Sequence, residues 1–259
     1  MTRWDRIDLA LVQAAAGLEP AANTARLDAL APTGVDLVVF PEVFQRDFGP
    51  VGDDLAPYAE AIDGPFAREV ARVAADREAV VVAGMVEATD GEPFNTLVAA
   101  DGTGASAPRA YRKIHLYDSF GYRESDRLTA GPITPTVIDV AGAKVGLMTC
   151  YDLRFPELAR ALVDAGAEIL VLPAAWVAGE RKIDHWRTLV RARAIENTVF
   201  VAACGQPAPR YSGHSLVVDP LGDVLAEAGE GEEILTASLS RSRLDEARSV
   251  NPSLANRRM

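Results

Sequence analysis

Cys150 stands where a thiol can attack. The run Lys144-Val145-Gly146-Leu147-Met148-Thr149 before it reads as a short buried strand, and the stretch from Asp152 to Leu162 reads as a helix starting just beyond. A thiol at a strand-to-helix turn meets unpaired N–H groups and the positive end of the helix dipole, which favour a thiolate. The N–H that follows it, on Tyr151, can face a developing oxyanion. These are the needs of an acyl-transfer nucleophile. Most free cysteines are instead buried and behave as small hydrophobes. Cys204, inside Val201-Ala202-Ala203-Cys204-Gly205, has only such surroundings and reads as structural.

A nucleophilic cysteine needs a base. His115 sits among the strand-like residues 111–117 and His214 within Ser212-Gly213-His214-Ser215, positions that suit structural histidines equally well. With His185 as the third, a Cys–His dyad stays open on the residues alone. Charge interrupts buried patterns in two other places. The apolar run Leu37-Val38-Val39-Phe40-Pro41 ends in Glu42 and resumes at once with Val43-Phe44. A carboxylate there is costly to bury without a partner, or else marks a solvated strand end. Lys113 interrupts Tyr111-Arg112-Lys113-Ile114-His115-Leu116, although a lone lysine is ordinarily solvated. Arg154, one turn into the helix after Cys150, suits either a substrate carboxylate or an ion pair with Glu157 or Asp152.

The elements that must position these residues alternate, but not in a strict βαβ rhythm. Strands are expected at 7–15, 37–40, 79–86, 94–100, 109–116, 137–140, 144–149, 169–172, 199–204, 215–218 and 234–238. Helices are expected at 21–30, 65–77 and 183–197, besides the one after Cys150. In the second of these Phe66, Val70, Val73 and Ala74 share one face. Asp90-Gly91 and Asp101-Gly102 mark hairpin turns. The polar segment 118–131, with aromatic insertions, reads as a lid. Residues 36–41 and 168–173 echo each other, which suggests two similar layers. Continuous apolar runs such as Leu37 to Phe40 and Ile169 to Leu172 fit central strands covered on both faces, as in two sheets with helices outside them.

Composition narrows the field. With 259 residues, 49% of them hydrophobic, the chain can bury a large core without metal or disulfide, and one domain over 1–259 is the simplest division. A formal charge of −11 opposes nucleic-acid binding. Two cysteines give neither a disulfide framework nor a zinc site. The first residues lack a signal-peptide pattern and no apolar run approaches membrane-spanning length, so a cytoplasmic protein with no membrane partner is expected.

Three segments carry a family resemblance: Phe40-Pro41-Glu42, Tyr111 to Asp118, and Met148-Thr149-Cys150-Tyr151-Asp152-Leu153-Arg154-Phe155-Pro156-Glu157. In type, order and local context they resemble the Glu, Lys and Cys motifs of the nitrilase superfamily of carbon–nitrogen hydrolases. The likeness continues through Leu172-Pro173-Ala174-Ala175-Trp176, His185-Trp186-Arg187, Ala192 to Asn197 and Gly213-His214-Ser215. The run Lys113 to Phe120 with Arg123-Glu124-Ser125 most resembles the deaminated glutathione amidase and ω-amidase branch.

The resemblance implies an α/β fold, the four-layer α-β-β-α sandwich, and a homodimer packed through helices. It implies Glu42 as general base, Lys113 with the Tyr151 N–H as oxyanion stabiliser, Cys150 as nucleophile, and Glu124 as an additional acid orienting Lys113 and water. Trp176 and Tyr117 are candidate walls of the acyl pocket. No cofactor or metal is called for. The implied reaction hydrolyses a small carboxylate-bearing linear amide to acid and ammonia through a thioester, with deaminated glutathione as the suggested substrate. Its rivals are an ω-amide such as α-ketoglutaramate, nitrile or N-carbamoyl hydrolysis, acyl transfer, or an idle scaffold on the same fold.

Overall fold

The apolar runs assemble into two six-stranded sheets. The computed structural model describes residues 4–103, 108–119 and 121–258, so Phe120 of the motif quoted above lies outside the described residues. In the first sheet β1 (Arg6–Gln13), β2 (Leu37–Val39) and β3 (Val80–Glu87) run parallel. β4 (Phe94–Ala100) and then β5 (Arg109–Arg112) continue it antiparallel, and β14 (Glu233–Ser240) closes the far edge against β1. A small hairpin of β6 (Asp118–Ser119) and β7 (Tyr122–Arg123) stands apart. In the second sheet β9 (Ala143–Leu147), β10 (Ile169–Ala174) and β11 (Phe200–Gly205) run parallel. β8 (Val137–Val140) flanks them on one side, and β12 (Leu216–Val218) and β13 (Val224–Glu227) on the other. The two echoing segments are β2 and β10, each with a parallel neighbour on both sides.

Side chains alternate across the strands, so each sheet has an inner and an outer face. Leu9, Leu11, Leu37, Val39, Val80 and Val82 join one large cluster with the second sheet. Val12, Val38, Phe40, Val81 and Ala83 pack outward with Leu27 of α1 (Pro20–Leu30) and Phe66, Val70 and Val73 of α2 (Pro65–Arg77). On the other side α3 (Pro156–Asp164) packs on β9, and α4 (Lys182–Asn197) on β11 and β12. The result is the four-layer α-β-β-α sandwich. No helix among the described residues is long and apolar enough to cross a membrane.

Local chemistry moved several boundaries. The strand expected at 109–116 ends at Arg112, where Gly131 N–H bonds Lys113 O at 2.8 Å and a Cβ on Gly131 would lie 2.2 Å from Arg112 O. The helix expected from Asp152 is instead a 3-10 turn, Cys150–Arg154, followed by α3. Pro156 forces that break, since it donates no N–H and disfavours helical backbone at Phe155. The segment 118–131 is no free lid: it holds buried Glu124 and Leu128, and Arg127 Nη1 donates to Asp53 O at 2.6 Å. Elements that lacked a sequence signal include the short β6 and β7, β13 with its half-exposed Val224 and Leu225, and the polar α5 (Arg241–Val250).

Candidate active site

Glu42, Lys113 and Cys150 each follow the carboxyl end of a strand, β2, β5 and β9, on the side of an α/β sheet where ligands usually bind. The chain bends sharply at two of these places. Val43 and Cys150 hold positive φ, 48° and 46°, a conformation that costs a non-glycine residue about 1–3 kcal/mol. The first bend needs Gly84 on β3, because a Cβ there would lie 2.2 Å from Val43 N. At the second, Asp152 is the anchor. Its fully buried carboxylate accepts from Thr149 N at 2.9 Å, Tyr111 Oη at 2.6 Å and His115 N at 3.1 Å, and lies 2.7 Å from His115 Nδ1. It thereby ties the Cys150 turn to the segment that carries Lys113. Beside that carboxylate the Tyr111 phenol is held well above its ordinary range, first by burial and then by the Asp152 charge.

The four expected catalytic residues meet in one buried cluster. Lys113 Nζ donates to Glu42 Oε1 at 2.9 Å and to Glu124 Oε2 at 2.8 Å, all three side chains being at most 1% exposed. Glu42 Oε2 accepts from Ala175 N at 2.6 Å, and Glu124 Oε2 from Tyr117 N at 2.6 Å. Burial alone would push the Lys113 ammonium down. The neighbouring Glu124, Glu42 and Cys150 outweigh it and hold its pKa well above 10.5. The Cys150 thiol is pushed well above 9.0, by burial first and then by the Glu42 charge, against the opposing pull of Lys113. The thiolate expected from a helix dipole is therefore not what this turn provides. A five-residue 3-10 turn offers little dipole, and the nearest carboxylate opposes a second negative charge.

Asn95 escaped the sequence reading. Its Nδ2 bridges the two acids, donating to Glu42 Oε1 at 2.7 Å and Glu124 Oε1 at 3.0 Å. The available signal was a polar pair, Asn95-Thr96, inside the apolar strand β4. The histidines are engaged with other groups: His115 with Asp152, His214 with Arg187 and Glu227, and His185 with Arg154.

The cluster floors a cavity of about 820 Å³, walled by Tyr117, Tyr151, Trp176, Lys182 and Tyr211. Tyr117 and Trp176 were expected there, Tyr151 was expected to bind substrate through its N–H, and Lys182 was not expected. Arg154 makes neither suggested ion pair: Asp152 is saturated by the groups named above, and the guanidinium turns instead to an aromatic wall. Its guanidinium carbon lies 4.9 Å from the Trp176 ring centre and 6.0 Å from that of Tyr151, with Nη2 3.5 Å from His185 Nδ1.

Residues 8–249 match the carbon-nitrogen hydrolase family, and the chain belongs to it. It is 39% identical to the deaminated glutathione amidase of Escherichia coli O157:H7 over 88% of this chain and 87% of that protein. It is 38% identical to the 2-oxoglutaramate amidase of Paenarthrobacter nicotinovorans over 86% and 78%. Saccharomyces cerevisiae Nit3, a member of branch 10 of the nitrilase superfamily, superposes with a TM-score of 0.85 at 29% identity, covering 98% of this chain and 97% of Nit3.

Proposed function

We propose that the protein hydrolyses a small, linear, carboxylate-bearing amide through a thioester on Cys150. The observation that carries this reading is the contact of one thiol with a buried carboxylate that also pairs with an ammonium. A thiol whose pKa is pushed up by burial and a neighbouring carboxylate needs its proton removed during attack. Glu42 takes that proton as Sγ bonds the carbonyl carbon, and Lys113 with the Tyr151 N–H meets the charge on oxygen. The intermediate collapses as Glu42 passes the proton to the leaving nitrogen. Water then attacks the thioester, giving a proton to Glu42 that returns to Sγ when the acid departs. Glu124 and Asn95 keep Glu42 and Lys113 in register throughout. The reading includes a cytoplasmic homodimer, which sedimentation can check.

Among substrates the cavity favours the larger suggestion. A volume of about 820 Å³ is drug-sized and suits a tripeptide-like molecule better than a five-carbon amide. The leaving group then changes. Deaminated glutathione has only secondary amides, so its hydrolysis frees an amine, whereas a primary ω-amide frees ammonia. Assaying both products over a panel of deaminated glutathione, α-ketoglutaramate, nitriles and N-carbamoyl acids separates the readings. The expected result is acid plus amine from the first. Turnover of nitriles alone, or of nothing, would reject the proposal. Arg154 is proposed to draw the carboxylate, so Arg154→Lys should weaken acidic substrates selectively.

A further inference from the structure

We propose that Lys182 is a specificity-determining residue which, backed by the charge of Arg154, forms a cationic subsite for the carboxylate end of the substrate. The inference rests on the amidase reading of the cavity. Lys182 is the first residue of α4, where the helix dipole disfavours a cation. The residue is also only 8% exposed overall, its side chain drawn along the cavity wall instead of out to solvent. Local helix stability does not account for that placement.

The geometry aims it at the cavity. Trp176 Nε1 donates to Lys182 O at 2.9 Å, and Lys182 N to Gly179 O at 3.1 Å, so the backbone is clamped from both sides. The ammonium donates to Tyr117 Oη at 3.0 Å and sits 5.1 Å from the Tyr117 ring centre and 5.6 Å from that of Trp176. Trp176 also carries the Arg154 guanidinium at 4.9 Å. Two cations thus share one aromatic wall. Burial lowers the Lys182 pKa and the Arg154 charge lowers it further, with Cys150 acting the other way. Arg154 Nε is itself buried with no hydrogen-bond partner. Arg154 is not among the groups that line the cavity, so a substrate carboxylate would accept from the Lys182 ammonium directly, with the Arg154 charge behind the Trp176 wall adding to its attraction, and the far end of the substrate would lie over Cys150.

The test compares glutaramate with pentanamide, which has the same chain length without the carboxylate, in wild type, Lys182→Met and Lys182→Arg. Lys182→Met should raise KM for glutaramate about tenfold, change kcat/KM for pentanamide several-fold less, and be largely rescued in Lys182→Arg. An equal fall in kcat on both amides would make Lys182 a support for Tyr117 and overturn the inference. Calorimetry with glutarate supplies a readout that needs no turnover. Its affinity should drop about tenfold in Lys182→Met, and equal affinities, or no glutarate binding to the wild type, would overturn the assignment. Should the wild type bind glutarate through Lys182 yet hydrolyse neither these amides nor deaminated glutathione, the amidase reading fails while the subsite stands.

Discussion

Two thiols lie buried in this chain, and their neighbours distinguish them. Cys204 sits in regular strand β11 with its Sγ 3.2 Å from Val39 O and 3.5 Å from Val12 O, wedged between the sheets. Cys150 sits on a bent backbone at positive φ, beside Glu42 and within the field of Lys113 and Glu124. Burial raises the pKa of both, so neither burial nor a high pKa separates a working thiol from an inert one. An adjacent base and a fixed positive charge do. A protonated thiol at rest is also less open to oxidation than a stored thiolate, since susceptibility follows thiolate character.

If the Cys150 environment is what matters, removing its charge should have a large effect. Lys113→Met should lower kcat about a hundredfold or more through the lost oxyanion partner. It also leaves Glu42 and Glu124 buried without their counterion, a change of the kind that costs about 3–5 kcal/mol, so a lowered melting temperature should accompany it. Steady-state kinetics beside thermal denaturation checks both, and a near-normal kcat would remove Lys113 from the chemistry.

Asn95→Ala probes the same cluster more gently. It deletes the bridge between Glu42 and Glu124 while keeping all three charges, and an outer partner of this kind is typically worth about 10–100-fold. The expected loss is in kcat with KM little changed. A change confined to KM would mean that Asn95 faces substrate instead of positioning the acids.

The smallest effect belongs to Cys204. Cys204→Ala should cost about 1–2 kcal/mol of stability as a buried atom is lost, with kcat intact. It should also alter the alkaline limb. The folded thiol titrates above 9.0, so its stabilising contribution is complete below that pH and declines above it, as the unfolded chain sheds a proton the folded one keeps. That slope reaches about 1.4 kcal/mol per pH unit per thiol. Urea midpoints at pH 8 and pH 10 should fall less steeply for the variant than for wild type. Parallel falls would place the alkaline sensitivity elsewhere.

What could be read in advance follows from these contrasts. Glu42 and Lys113 were legible because each puts a charge into an apolar pattern, Cys150 because it stands at a strand-to-helix turn, and their motifs pointed to the family. The sandwich was legible because β2 and β10 are apolar on both faces. Asn95, Asp152 and Lys182 were not. Asn95 and Asp152 act through partners far away in sequence, as when Asp152 accepts from Tyr111 and His115. Lys182 has meaning only once Trp176 and Arg154 are beside it. The 3-10 turn after Cys150 was readable from Pro156, but the apolar spacing of Leu153, Leu158 and Leu162 masked the break.

The most direct test of the central claim is intact-protein and peptide mass spectrometry after rapid mixing with substrate and acid quenching. The predicted result is an acyl adduct on the peptide carrying Cys150, absent in Cys150→Ala and retained in Cys204→Ala. An adduct on Cys204, or turnover that survives in Cys150→Ala, would contradict it.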